Sequence, residues 1–201
     1  QLAILDLLML FLSRERDITK SGGKKIAKNL SEVPELVKRI LKKSSQIKKL
    51  AEKYKDYENF LFLGRKYNYP IALEGALKLK EIAYLPAQGY GAGEMKHGPI
   101  ALINEDSLVI AICPKDSVYK KMISNIQEVK TRNGKVLAIT TEDNKDIKKI
   151  ADDVIYIPKT LEILMPILNV IPLQFFAYYM GLLHGCDVDK PRNLAKSVTV
   201  E

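Results

Sequence analysis

The chain has few of the residues that build covalent or metal-held frameworks. Its 201 residues include only two cysteines and two histidines, and no tryptophan. Cys113 and Cys186 lie far apart and show neither CxxC nor metal-ligand spacing, which excludes a disulfide scaffold and a zinc site of the usual kinds. The sequence therefore predicts a protein of the reducing cytoplasm without a bound metal.

Glycine motifs that hold nucleotide phosphates are also missing. No GxxxxGK[ST] sequence occurs, and the cluster Gly89-Tyr90-Gly91-Ala92-Gly93 is followed by Glu94 where a dinucleotide fingerprint needs its third glycine. We expect no cofactor.

The apolar run at 2–12 is too short to span a membrane. It is interrupted by Asp6 and falls well below the ~20 residues that cross a bilayer. No basic region precedes it and the charges follow it, unlike a signal peptide. We interpret it as a core helix and expect no membrane contact. Since the chain begins with Gln1 rather than Met, we also expect a processed product or an excised domain.

Positive charge is concentrated in one segment. Residues 14–55 hold 14 of the 32 basic residues and 5 of the 24 acidic ones, a net charge of +9, and the remainder carries −1. Lysine pairs on helix-period sequence without interleaved aromatics favour the solvated face of an amphipathic helix. Nucleic-acid binding is the alternative hypothesis, which steeply salt-dependent retention on DNA would support.

The rest of the chain alternates short apolar runs with helix-period segments. Within the basic segment we expect a turn at 21–23, a cap at Ser31 and a helix over 33–54, broken near 44–45. The apolar runs predict strands at 60–63, 108–112, 136–140 and 154–157. We expect one more short strand at 86–90. The helical patterns lie at about 69–82, 118–131 and 164–184. This alternation predicts a doubly wound α/β domain with a mostly parallel sheet flanked by helices.

Three features could carry chemistry. Glu74, Lys78 and Glu81 recur at i, i+4 and i+7, which stacks acid, base and acid on one helix stripe. An exposed ion pair is the simpler interpretation, and a carboxylate that moves a proton is the functional one. His97 lies in a glycine-rich loop, and Lys196 lies in the last residues, where a desolvated amine can attack a carbonyl.

Long motifs at these positions resemble one family. The stretches ALEGALKLKE at 72–81, GAGEMKHGPIAL at 91–102 and PRNLAKSVTVE at 191–201 are similar to the isomerase part of glucosamine-6-phosphate synthase, or glutamine–fructose-6-phosphate aminotransferase. The resemblance is to its second, carboxy-terminal sugar-isomerase (SIS) domain, with flavodoxin-like topology. It implies helices at 1–57, an SIS domain at 58–185 and a catalytic tail at 186–201.

The resemblance also implies residue roles. Glu81 would shuttle a proton between C1 and C2 of the sugar with the help of Lys78, and Lys196 would form a Schiff base with the open-chain ketose. His97 would open the sugar ring in the active site of a neighbouring subunit.

Substrate binding would fall to Glu74 and to the tail around Ala195. The resemblance implies a homodimer that binds fructose 6-phosphate and glucosamine 6-phosphate.

The chain lacks two parts of that family's architecture, the glutaminase domain and the first SIS domain. The loop at 64–70 contains no serine or threonine to line a phosphate cradle, as expected if the missing domain holds the phosphate. We therefore expect weak or no turnover from this chain alone. A non-catalytic sugar-phosphate-binding or dimerisation module is the alternative.

Overall fold

A five-stranded parallel sheet forms the centre of the computed structural model, which describes residues 1–193. The strands are β1 (Asn59–Gly64), β2 (Ala87–Gly91), β3 (Ser107–Ile112), β4 (Lys135–Thr141) and β5 (Asp153–Ile157). The helices are α1 (Leu2–Arg14), α2 (Lys20–Leu41), α3 (Ser44–Tyr54), α4 (Asn68–Ala83), α5 (Tyr119–Lys130) and α6 (Met165–Leu183). The strand order β2-β1-β3-β4-β5 is that of flavodoxin-like doubly wound sheets, so the predicted fold class is confirmed.

Strand residues alternate between two cores because successive side chains point to opposite faces. Phe60 and Phe62 of β1 pack with α3, α4 and α6, whereas Leu61 and Leu63 pack with α5 and the loop that follows β2. Both faces of the sheet are covered, which explains why the central strands are apolar throughout. Cys113 is buried in the second core.

Helix α4 lies against the sheet through a glycine. A Cβ atom built on Gly75 would lie 2.8 Å from Leu173 of α6 and 2.8 Å from the ring of Phe62 in β1. Only a residue without a side chain permits this approach, so Gly75 sets the height of α4 above the sheet. The same helix carries Glu74, Lys78 and Glu81.

The basic segment differs in detail from its prediction. The predicted turn at 21–23 and cap at Ser31 are wrong, since α2 begins at Lys20 and runs through both. Thr19 is the cap, and its hydroxyl accepts a 3.1 Å hydrogen bond from the Gly22 amide. Burial of one apolar stripe stabilises α2 and allows the helix to continue past Gly22 and Gly23. The break before Ser44 is confirmed, with α3 beginning there. The stripe along α2 and α3 comprises Ile26, Val33, Ile40, Ile47 and Leu50.

Helix α1 is not the core helix that its composition predicted. None of its residues is buried, and Ile4 and Phe11 are each more than 60% exposed. The apolar composition of α1 indicates that the helix packs best against apolar neighbours. It does not indicate whether residues 1–193 supply those neighbours.

Within the described residues, Glu162–Leu183 alone is long and apolar enough by length and composition to cross a membrane. Half of that window is buried, and Leu168, Leu173 and Phe176 lie in the core against α4 and the sheet. We interpret α6 as the core helix of an α/β domain.

Replacing Gly75 with alanine tests the packing of α4. Gly75→Ala is expected to lower the free energy of unfolding by about 1–3 kcal/mol, because overpacking outweighs the gain of at most about 1 kcal/mol in helix propensity. Gly91→Ala is the matched control, since its Cβ would meet atoms no closer than 3.7 Å. Chemical denaturation of both variants measures the difference, and equal stabilities would contradict the role given to Gly75.

Candidate active site

An acid–base–acid stripe runs along α4. Lys78 donates a hydrogen bond to the Glu81 carboxylate, and its Nζ lies 3.9 Å from Oε1 of Glu74. The three side chains are half-buried, with 27% of Lys78 and 26% of Glu81 exposed. The structure confirms that Glu74, Lys78 and Glu81 lie on one stripe of the helix, as predicted. A carboxylate held by an ammonium at the edge of an apolar helix can exchange protons with a bound ligand and keep a fixed orientation.

Chain direction places Glu81 far from the carboxyl ends of the strands. Helix α4 starts at Asn68, just after β1, and returns across the sheet to end at Ala83, just before β2. Glu81 is 13 residues from the start, or about 20 Å along the axis at 1.5 Å per residue. It therefore lies towards the amino-terminal edge of the sheet.

The loop that carries His97 lies at the opposite edge. It follows β2 and consists of two 3-10 turns, Met95–His97 and Pro99–Leu102, anchored by the buried side chains of Ala92 and Met95. The Ala92 amide donates a 2.9 Å hydrogen bond to the Gly64 carbonyl at the end of β1. His97 itself is exposed. Glu81 and His97 of one chain are thus not brought together.

The Arg65 guanidinium packs against the backbone of this loop at Gly93. Its Nε and Nη2 donate hydrogen bonds of 3.1 and 2.9 Å to the Asn125 side-chain oxygen, and Asn125 is only 5% exposed. A Cβ atom on Gly93 would lie 3.1 Å from Nη2 of Arg65, so the loop backbone rests on the guanidinium. No local sequence pattern predicted this role of Arg65, because Asn125 lies 60 residues away.

Side chains pair with one another at the crevice where doubly wound sheets usually bind ligands. It lies between the carboxyl ends of β1 and β3, where the strand order reverses. Lys66 donates 2.6 and 2.7 Å hydrogen bonds to Glu162 and to the Ser117 hydroxyl, and the bond from Lys66 lowers the pKa of Glu162. Burial raises the pKa of neighbouring Asp116. Lys66 is therefore already paired with a carboxylate at this crevice.

The C-terminal segment returns to the end of α4. The Arg192 amide donates a 2.7 Å hydrogen bond to the Tyr84 hydroxyl, directly after the helix. Ala195 and Lys196 lie outside the described residues. His184 ends α6, as predicted, with a ring nitrogen 3.0 Å from the Lys55 carbonyl oxygen. Among residues 1–193, no group of three or more His, Cys, Asp or Glu side chains is placed to hold a metal ion.

Comparison with known proteins places this geometry in a family. Residues 53–183 match the SIS domain. The chain belongs to the SIS family. It is 52% identical over 201 residues to the isomerizing glutamine–fructose-6-phosphate aminotransferase of Chlorobaculum tepidum, and 49% identical over 201 residues to the protein of the same name from Thermotoga maritima. Each alignment covers the whole chain and 33% of the relative, so the chain spans about a third of their length.

A solved structure extends the similarity to three dimensions. The C-terminal domain of glucosamine-fructose-6-phosphate aminotransferase from Francisella tularensis is 34% identical, with a TM-score of 0.86. The match covers 92% of this chain and 53% of that one. The resemblance found in the sequence motifs is confirmed.

Sequence reasoning missed Tyr84, although a signal was present. Helix α4 ends three residues before Pro86, and many helices are followed by glycine or asparagine. A tyrosine at this position indicates that its side chain makes a contact of its own.

The support beneath the His97 loop can be tested by Arg65→Lys. Lysine cannot reproduce the forked hydrogen bonds, so the buried Asn125 oxygen loses its partners, at a cost of about 1–3 kcal/mol. Amide hydrogen exchange at 92–98 is expected to accelerate. Lys120→Arg, on the exposed side of α5, is the control. Unchanged exchange in Arg65→Lys would mean that the loop holds its shape without the guanidinium.

Proposed function

We propose that this chain belongs to a cytoplasmic isomerising glutamine–fructose-6-phosphate aminotransferase. It would be the half of the isomerase part that carries the catalytic residues. The substrate would be fructose 6-phosphate and the product glucosamine 6-phosphate, with nitrogen derived from glutamine by a domain outside this chain. The observation that carries the proposal is the Lys78–Glu81 pair on α4, close to where the C-terminal segment docks.

The chemistry follows from the properties of these groups. The Lys196 amine attacks the C2 carbonyl of the open-chain ketose and forms an imine with loss of water. Ammonia displaces the lysine, which leaves the sugar as an imine at C2. The Glu81 carboxylate removes a proton from C1, whose acidity the imine raises, and returns it to C2, while the C1 hydroxyl proton passes to the imine nitrogen, giving the amino aldose.

Covalent geometry supports a meeting of Glu81 and Lys196. Tyr84 follows Glu81 by three residues and contacts Arg192. Lys196 follows Arg192 by four residues, which span at most about 14 Å even when fully extended. A tether of this length allows the amine to reach the carboxylate.

The wide separation of Glu81 and His97 supports a site shared between two copies of the chain. Along α4 the distance between the two edges of the sheet is about 20 Å, too far for one sugar to contact both residues of one chain. We propose a homodimer in which His97 of one copy opens the sugar ring bound near Glu81 of the other. The paired Lys66 supports phosphate binding by a part of the protein outside this chain.

Trapping an adduct tests the Schiff base. When the chain is combined with the region that its relatives carry beyond it, borohydride and fructose 6-phosphate are expected to label Lys196, as read by peptide mass spectrometry. Lys196→Arg should abolish labelling. Glu81→Gln should retain it and lower turnover by about 100-fold or more, the usual contribution of a positioned acid–base group. The absence of an adduct at Lys196 would favour the non-catalytic binding module.

Mixing two inactive variants tests the shared site. Glu81→Gln and His97→Asn subunits, each combined with the region that its relatives carry beyond this chain and co-expressed or refolded together, should regain about a quarter of wild-type activity, because half of the dimers are mixed and each has one intact site. Each variant alone should stay inactive. If the mixture is no more active than its components, Glu81 and His97 do not act together across a dimer.

A further inference from the structure

The residue that ends α4 adopts an unfavourable backbone conformation for its type. Tyr84 has φ 58° and ψ 25°, in the left-handed region that glycine and asparagine adopt at helix ends. A tyrosine at such a position indicates that its side chain makes contacts a glycine cannot make.

That side chain binds the start of the C-terminal segment in two ways. The Tyr84 hydroxyl accepts a 2.7 Å hydrogen bond from the backbone amide of Arg192. The Arg192 guanidinium lies over the ring, with Cζ 4.2 Å from the ring centroid, well inside the range of a cation–π contact. The positive charge also lies at the C-terminal end of α4, where the helix dipole favours a cation.

The chain between α6 and Arg192 is held against the same helix end. A Cβ atom on Gly181 of α6 would meet Ile82 of α4 at 2.9 Å and Val188 at 3.0 Å, so all three pack closely. Asp187 then accepts hydrogen bonds of 3.0 Å from the amides of Asp189 and Lys190, which turns the chain towards Tyr84. The contact between Tyr84 and Arg192 follows these contacts along the chain and lies four residues before Lys196.

We propose that Tyr84 is a positioning residue for the reaction, which fixes the origin of the Lys196 tether one helical turn from Glu81. This inference rests on the proposed function. Without the Tyr84–Arg192 contact, the segment leading to Lys196 would be held only as far as the turn formed by Asp187. Because that tether is longer, the Lys196 amine would sample a larger volume around Glu81. Tyr84 touches neither substrate nor reacting atoms in this role.

The chain offers variants that separate positioning from folding. Tyr84→Asn removes both contacts while relieving the backbone, because asparagine tolerates the left-handed region. Tyr84→Phe removes only the hydrogen bond, and Arg192→Ala removes only the cation, since the amide remains. Tyr179→Phe is the matched control, a tyrosine of α6 that also loses one hydroxyl hydrogen bond, to Ser44 of α3.

The measurements are thermal unfolding, turnover and the rate of borohydride trapping at Lys196, made on the chain combined with the region that its relatives carry beyond it. Tyr84→Asn is expected to unfold at or above the wild-type temperature, yet to trap and turn over at least about ten-fold more slowly. Tyr84→Phe and Arg192→Ala should each slow both rates about three- to five-fold. The KM for fructose 6-phosphate should change less than kcat, and Tyr179→Phe should behave as wild type.

Two results would overturn the inference. One is wild-type trapping and turnover by Tyr84→Asn. The other is a Tyr84→Asn/Arg192→Ala double variant that is slower than Tyr84→Asn by the full effect of Arg192→Ala, since residues acting through one contact are not additive.

The failure of the proposed function has a different signature. If wild-type protein forms no adduct at Lys196, the Schiff-base mechanism is wrong, and with it the catalytic purpose given to Tyr84. Amide exchange at Arg192 then reports the contact itself, which Tyr84→Phe should expose and Tyr179→Phe should leave protected. Equal exchange in wild type and Tyr84→Phe would remove the contact as well.

Discussion

The close approach of α4 to the sheet at Gly75 is the constraint on which the rest of the site depends. A side chain there would meet Phe62 and Leu173 at 2.8 Å, so the helix can keep its height only where the Cβ atom is missing. That height sets how deeply the Lys78–Glu81 pair is buried and where the helix end meets the returning C-terminal segment. Packing in the core and chemistry at the surface are thus linked through one rigid helix.

The winding of the chain distributes the candidate residues between two edges of the sheet. Helices that join parallel strands run antiparallel to them, so a residue late in α4 and a residue just after β2 must lie at opposite ends. Glu81 and His97 obey this rule. Their separation follows from topology and not from any detail of side-chain packing, which is why a site using both requires a second copy of the chain.

The sequence predicted those parts of the structure that depend on local patterns. The bounds of α4 and α5 differ from the predicted helices by a single residue at each end, and the edge strand β2 lies one residue beyond the predicted 86–90. The exposure of α1 could not be predicted, since a run of leucines has the same composition whether its neighbours are present or absent. The turn expected at Gly22 and Gly23 failed because burial of Ile26 and Val33 outweighs the low helix propensity of glycine. The Tyr84–Arg192 contact joins residues 108 apart in sequence, and no local pattern encodes such a distance.

The paired crevice and the anchored C-terminal segment bear on where the proposed chemistry takes place. A doubly wound sheet normally offers its ligand site at the point where the strand order reverses, and here Lys66, Glu162 and the Ser117 hydroxyl bind one another at that place. Under the proposed function, the Lys78–Glu81 pair at the far end of α4 acts on a substrate whose phosphate another part of the protein holds. Binding of the phosphate is then separate from the groups that act on the sugar, and the proposed role of Tyr84 is to join the C-terminal segment to the rigid end of α4.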